Sequence, residues 1–322
     1  MRNRFASLTK LFTVLTFLAA CGLPSATTSN IPATPSSPAS SNTIQPSPTV
    51  VLFGLATPSS LATATAQLTT APTPATLPAT LDLDPSDWKR WPVLPSVPVH
   101  ALQIYQLGQT LGNDPHSFSI FGDCQSTPDV FMGLYETDPS ALSQLPLDLQ
   151  QTVAWFRGSF NRTSPTVRAG TTTGALLWTL WHQNRFTCTS AETPLQCELR
   201  IHKPSFVIIQ IGTHAESRNE DYMRTILDQL IKAGVVPVLS TKADDYEGDE
   251  HINLQYAQLA VENNIPFWNF WLAVNNLPDR GLYSKPQDTY QGGYWLTDAA
   301  IAIHRLTALQ ALDIVRRAVG DK

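Results

Sequence analysis

Four short stretches of this 322-residue chain hold the side chains and backbone turns suited to covalent or acid–base chemistry. "FSIFGDC", Phe118 to Cys124, is an apolar run ending on Gly-Asp and a cysteine. "SFVIIQIGTH", Ser205 to His214, is a second apolar run, and it ends on a histidine. "VRAGTTTG", Val167 to Gly174, lies between them and puts Gly170 ahead of a helix. "GGYWLTDAAIAIH", Gly292 to His304, carries Asp298 and His304. A cysteine attacks as its thiolate, and a nearby imidazole can ionise it. Six positions on a helix turn by about 600°, or about 240° modulo a turn, so Asp298 and His304 do not share a face. His304 therefore reads as a helix-face histidine. Asp288, in the loop before that block, has no fixed place.

The elements that would position these residues alternate. "ALQIYQLGQTLG" (Ala101 to Gly112) is an amphipathic helix with a glycine cap, and "FSIFG" is a short buried strand. "LDLQQTVAWF" (Leu147 to Phe156) and "GALLWTLWHQ" (Gly174 to Gln183) read as helices. "SFVIIQIG" is the clearest buried strand, a continuous apolar run between Pro204 and Gly212. "EDYMRTILDQLIKAG" is a helix stopped by Gly234, and "VVPVLS" (Val235 to Ser240) is the next strand. A helix "INLQYAQLAVENN", a strand "IPFWNF" and a long final helix with Thr297 as N-cap complete the chain. Such alternation predicts an α/β fold, a three-layer α/β/α sandwich with a mainly parallel sheet. Ligands of such folds sit at the carboxyl ends of the strands. The endings GDC and GTH therefore fall where chemistry is expected.

The N-terminus reads as a targeting signal. Arg2, Arg4 and Lys10 precede an apolar run, Leu11 to Ala20, too short for the roughly 20 residues of a membrane span. It ends in "LAAC", which resembles the lipobox of bacterial lipoprotein signal peptides. That resemblance implies cleavage after residue 20, acylation of Cys21 and an extracytoplasmic chain anchored to a membrane without spanning it. Without residues 1–20 the chain keeps 18 basic and 26 acidic residues, a net charge of −8. Such a balance argues against nucleic acid as a partner. Residues 21–83 are Ser, Thr, Pro and Ala with almost no charge, and read as a disordered stalk with a reach of roughly 40–45 Å. Residues 84–322, where tryptophan and charge appear, form one domain.

Three cysteines follow Cys21. Cys188 and Cys197 flank "TSAETPLQ", a turn-rich loop, and in an exported chain a disulfide across it is expected, two reduced thiols being the alternative. Cys124 is then the odd cysteine.

The order of GDC, the Gly170 turn, GTH and GGYWLTDAA resembles the SGNH (GDSL-like) hydrolases from about Ala101 onward. "CELRIHKPSFVIIQIGT" and "TKADD" with "IPFWNFW" further resemble an exported bacterial subgroup of that superfamily. The resemblance implies a flavodoxin-like α/β/α fold, an esterase or carbohydrate-deacetylase activity on small-molecule or cell-envelope carbohydrate esters, and no cofactor or metal. Carried over position by position, Cys124 takes the nucleophile's place. Gly170 supplies an oxyanion N–H, and His214 stands where the family has asparagine, with Ala215 for the aspartate beside it. Gly292 and Trp295 occupy the positions of the catalytic aspartate and histidine. At the asparagine position the His214 side chain would point toward Cys124. Three readings stay open: polar residues at the rim of a degenerate pocket, a Cys–His pair with Gly170 and His214 as oxyanion donors, or a metal site, for which two ligands are few. "WNFW" (Trp268 to Trp271) is either a sugar-stacking mouth or core, and Trp295 would fill the cleft. The function is therefore that of an SGNH-type hydrolase through Cys124 or, alternatively, of a non-catalytic relative binding glycan or a partner protein.

Overall fold

Valine, isoleucine and phenylalanine runs with no polar face cannot stay at a surface, and they form the central sheet. The computed structural model describes residues 77–183, 185–211, 218–285 and 293–320, and its second compact unit is Ala71–Lys322. Cys21, the signal and nearly all of the stalk lie outside the described residues, as do His214, Ala215, Asp288 and Gly292. In chain order the main elements are α1 (Val99–Leu111), β1 (Asp114–Gly122), α2 (Leu134–Thr137), α3 (Pro139–Ser143), α4 (Leu147–Trp155), α5 (Thr173–Leu176), α6 (Pro194–His202), β2 (Pro204–Gln210), α7 (Asn219–Lys232), β3 (Val236–Ser240), α8 (His251–Asn263), β4 (Phe267–Trp268), α9 (Phe270–Val274), β5 (Leu282–Ser284), β6 (Tyr294–Leu296) and α10 (Asp298–Gly320).

β1, β2, β3 and β4 pair in that order, all parallel. Every residue of β2 and β3 is buried, as a sheet covered on both faces requires. The crossovers run through α6, α7 and α8, and right-handed connections put these helices on one face. α1, α4 and α10 pack together as the other layer, with α1 against β2 and β3. The expected three-layer α/β/α sandwich with a mainly parallel sheet is thus what the chain forms.

An isolated parallel bridge extends the β1 edge of the four-stranded sheet. Val167 bridges Gly122 in parallel, with Gly122 N–H donating to Thr166 O (3.1 Å) and Arg168 N–H to Gly122 O (3.4 Å). The chain thus leaves β1, visits its outer edge at 166–168, then crosses to β2 on the other side. This reversal is a topological switch point, and Cys124 lies at it.

The folded unit begins upstream of Asp84. Leu81 N–H donates to Asn264 Oδ1 (2.8 Å), Asn264 Nδ2 to Ala79 O (2.8 Å) and Val99 N–H to Pro78 O (2.8 Å). Trp88 and Trp91 are buried against Trp271 and Phe267.

Three local expectations give way. The helix expected over Gly174–Gln183 lasts one turn, Thr173–Leu176. Beyond it the backbone folds into successive tight turns, because Arg168 takes the Trp181 carbonyl (3.0 Å) and stacks on its indole (4.3 Å). The strand "IPFWNF" is only Phe267–Trp268, because Asn269 caps α9 through Leu272 N–H (3.2 Å). The loop between Cys188 and Cys197 includes the start of α6, whose Thr193 and Gln196 form a capping box with Pro194 at the first turn. Cys188 and Cys197 are joined by a disulfide with Cα atoms 5.3 Å apart. Such bonds persist in oxidising compartments. Among the described residues no helix is long and apolar enough to cross a membrane.

Candidate functional site

At the carboxyl end of β1 the chain turns sharply. A Cβ on Gly122 would lie 2.3 Å from both Cβ and Oγ of Ser126, so only glycine lets the following turn fold back on the strand. Buried Asp123 accepts from Gln125 N–H (2.8 Å), and its carbonyl accepts from Ser126 N–H (3.1 Å). It builds the turn, as aspartates do in Asx turns. Cys124 opens a single 3-10 turn, Cys124–Ser126, after which Thr127 is extended. No α-helix stands behind Cys124 to lend the thiol a helix dipole, since aligned peptide units are its source. The thiol is half-buried and takes no part in the disulfide.

The neighbouring strand ends supply residues the sequence did not advertise. Gln210, last in β2 and level with Gly122, accepts from Ser126 Oγ through Oε1 (3.0 Å). Just past β3, Lys242 is 1 % exposed and pairs with Asp244 (2.8 Å) and Glu247. Gln125 Nε2 donates to the carbonyl of Tyr294 in β6 (3.2 Å). The β5–β6 hairpin thereby lies over the strand ends. Gln125, Gln210, Lys242, Phe270, Tyr294 and Leu296 line a crevice of about 10 Å³. That is room for about one water molecule.

The candidates drawn from the sequence fall into three groups. Cys124 and Gly170 leave the same end of the sheet, two residues past Gly122 and three past its bridge partner Val167. Gly170 has φ of 80°, a turn geometry that suits glycine. His214 and Gly292 lie outside the described residues. Trp295 is half-buried on β6, with the Lys285 ammonium 4.0 Å from its ring centre. Asp298 is exposed. The "WNFW" rings settle as core: Trp268, Phe270 and Trp271 are buried.

The histidines divide sharply. His100 Nδ1 meets Asn263 O, His116 Nδ1 meets Trp155 O, His182 Nε2 meets Glu192 O, and His251 Nδ1 meets Asp249. His202 Nε2 is shared between Phe118 O (3.1 Å) and Ser159 Oγ (3.3 Å), and burial, then the Arg162 charge, lowers its pKa. Ser159 itself is buried and accepts from Phe118 N–H, so the pair ties β1 to its neighbours. His304 is buried among aromatic rings, and burial brings its pKa down to about 3. Six of the seven histidines in the sequence are thus committed elsewhere. Among the described residues no group of His, Cys, Asp and Glu is placed to hold a metal ion.

Compared with models of known protein families, the sequence matches none, and no curated protein sequence matches it. Among solved structures, the chain is similar to the crystal structure of a GDSL-like lipase from Bacteroides thetaiotaomicron. The two share 15 % identity at a TM-score of 0.40, over 67 % of this chain and 98 % of that one.

Proposed function

We propose that this chain is a non-catalytic relative of the SGNH hydrolases, tethered outside the cytoplasm through Cys21, which binds cell-envelope carbohydrate at the carboxyl-end face of its sheet. One observation carries the reading: the six described histidines are bonded to other partners or caged among aromatic rings, so none of them is set up as a base for Cys124. The resemblance adds Gly292 and Trp295 at the positions of the family's acid and base, and glycine cannot polarise a histidine nor an indole accept a proton.

A second reading, thiol catalysis of ester hydrolysis, is favoured by the place of Cys124 at the switch point. In it, Cys124 is the nucleophile, His214 its only remaining base, and Gly170 N–H an oxyanion donor. One assay separates the two. The full-length chain is incubated with a small aryl acetate beside Cys124→Ala and His214→Ala. The binding reading expects no turnover above buffer in any of the three, and retention of envelope polysaccharide by all. Turnover that Cys124→Ala abolishes overturns it.

A further inference from the structure

A second cavity lies at the outer edge of β1, between residues 163–169 and the turn at 181–186, with a volume of about 200 Å³. Its walls carry two arginines, Arg168 and Arg185, and no acidic residue. Arg162, Arg200, Arg218, Arg224, Arg280 and Arg317 each pair with a carboxylate. Among the described residues no carboxylate pairs with Arg168 or Arg185, in a sequence with more acidic than basic residues.

Arg168 is held in place. Its guanidinium stacks on Trp181 (4.3 Å), one Nη1–H donates to Trp181 O (3.0 Å), and Trp181 Nε1 donates to Thr171 Oγ1 (3.4 Å). Its remaining donors have no acceptor among the described residues. Burial first, and the Arg185 charge second, lower its pKa, so the two cations feel one another. Arg185 is exposed, with its guanidinium 5.2 Å from the Phe186 ring centre. The turn that presents it is fixed on one side by buried His182, bonded to Glu192 O, and on the other by the Cys188–Cys197 disulfide. Like charges at one cavity repel, and an anion between them removes the cost. Guanidinium forks match carboxylate and phosphate oxygens in pairs. The flat apolar wall of Trp181 and Phe186 suits a ring, and the volume lies below the range of drug-sized sites, roughly 300 Å³ upward.

We infer that this cavity binds a small ring compound through its oxyanion group, a carboxylate or a phosphate, held between Arg168 and Arg185 with the ring against Trp181. The inference does not depend on what Cys124 does.

Titration calorimetry of the full-length chain, at constant ionic strength set by chloride, tests it with sodium glucuronate, glucose 6-phosphate and neutral glucose. Both anions, or one of them, are expected to bind, and glucose is not. Stronger glucuronate binding identifies an acidic sugar as the source of the oxyanion; stronger glucose 6-phosphate binding identifies a phosphate ester. Arg185→Gln, at an exposed site that leaves the fold intact, is expected to weaken binding about tenfold or more, the loss of charge-assisted hydrogen bonds. Arg168→Gln, checked by its thermal midpoint, is expected to do the same, and Arg185→Glu to abolish binding. Cys124→Ala is expected to bind as the parent does. The assignment is overturned if neither anion gives heat beyond the chloride control, or if binding survives both Arg168→Gln and Arg185→Glu.

Discussion

His304 sets a steep pH dependence on the stability of this fold. Its imidazole stacks on Phe131 at 4.3 Å between ring centres, lies 4.5 Å from Phe270 and runs nearly parallel to Trp268. Among the described residues neither ring nitrogen has a hydrogen-bond partner. Burial, and secondarily the Arg305 charge, bring its pKa from 6.5 to about 3. Between those values the unfolded chain binds a proton that the folded chain refuses. The unfolded state then carries more protons, so stability falls as pH falls. Each pH unit well inside the window costs about 1.4 kcal/mol. Between pH 7 and pH 5 this amounts to about 2 kcal/mol, and it continues to grow toward pH 3.

The comparison is His304→Phe, which keeps a ring in the aromatic cage and removes the titration. Any overpacking by the larger ring, typically about 1–3 kcal/mol, acts equally at every pH. Urea unfolding of both proteins at pH 7 and pH 5 therefore isolates the proton. The parent is expected to lose about 2 kcal/mol more than the variant on acidification. Equal losses in the two proteins would mean that His304 titrates alike folded and unfolded, and the buried, unpartnered imidazole would be wrong.

Three further outcomes follow from single contacts. Glu198, fully buried, accepts from Arg162 Nη1 and Nη2 (2.5 and 2.8 Å) and from Ser119 Oγ (2.5 Å). Glu198→Ala strands the Arg162 charge and is expected to cost about 3–5 kcal/mol in urea unfolding. Lys242→Met leaves Asp244 and Glu247 buried without their cation, and a loss of the same order, about 3–5 kcal/mol, is expected at pH 7. Gly122→Ala drives a methyl into Ser126 and should lower the thermal midpoint by the equivalent of about 1–3 kcal/mol, whereas Gly112→Ala, with open space around its Cβ position, pays only for its left-handed backbone.

The sheet is legible in the sequence because parallel strands covered on both faces must be apolar throughout, and "SFVIIQ" and "VVPVLS" are. Gly112 announces the end of α1, where it sits at φ 82° and donates to Gln109 and Gly108 carbonyls. The placing of Cys124 is legible for the same reason, since Gly-Asp after a buried run marks a strand end. Other features are silent. α6 hides behind mixed charge, although Thr193-Pro194-Leu195-Gln196 is a start signal when read for capping. The β5–β6 hairpin is joined by residues 285–293, far longer than the two-residue turn that would mark it in the sequence. Lys242 reads as a surface lysine, because burial of lysine depends on partners that only the fold supplies. In "WNFW" the decisive residue is the asparagine. Asn269 caps α9 and donates to Trp88 and Trp91 carbonyls, which turns the flanking rings inward.

The two sides of β1 divide the work of this surface. On the β2 side the Gln125 to Tyr294 bond, the Lys242 ion cluster and the β5–β6 hairpin lie at the strand ends. Buried charge clusters of this kind oppose opening, because separating one partner leaves the rest uncompensated. On the outer side the edge segment Thr166–Arg168 is short and leaves an open cavity whose cations face no carboxylate. Ligands of such folds sit at the strand ends near a topological switch point, and this chain sets two cations on the outer side of that point. Substitution at Arg185 should alter ligand capture even where substitution at Cys124 alters nothing.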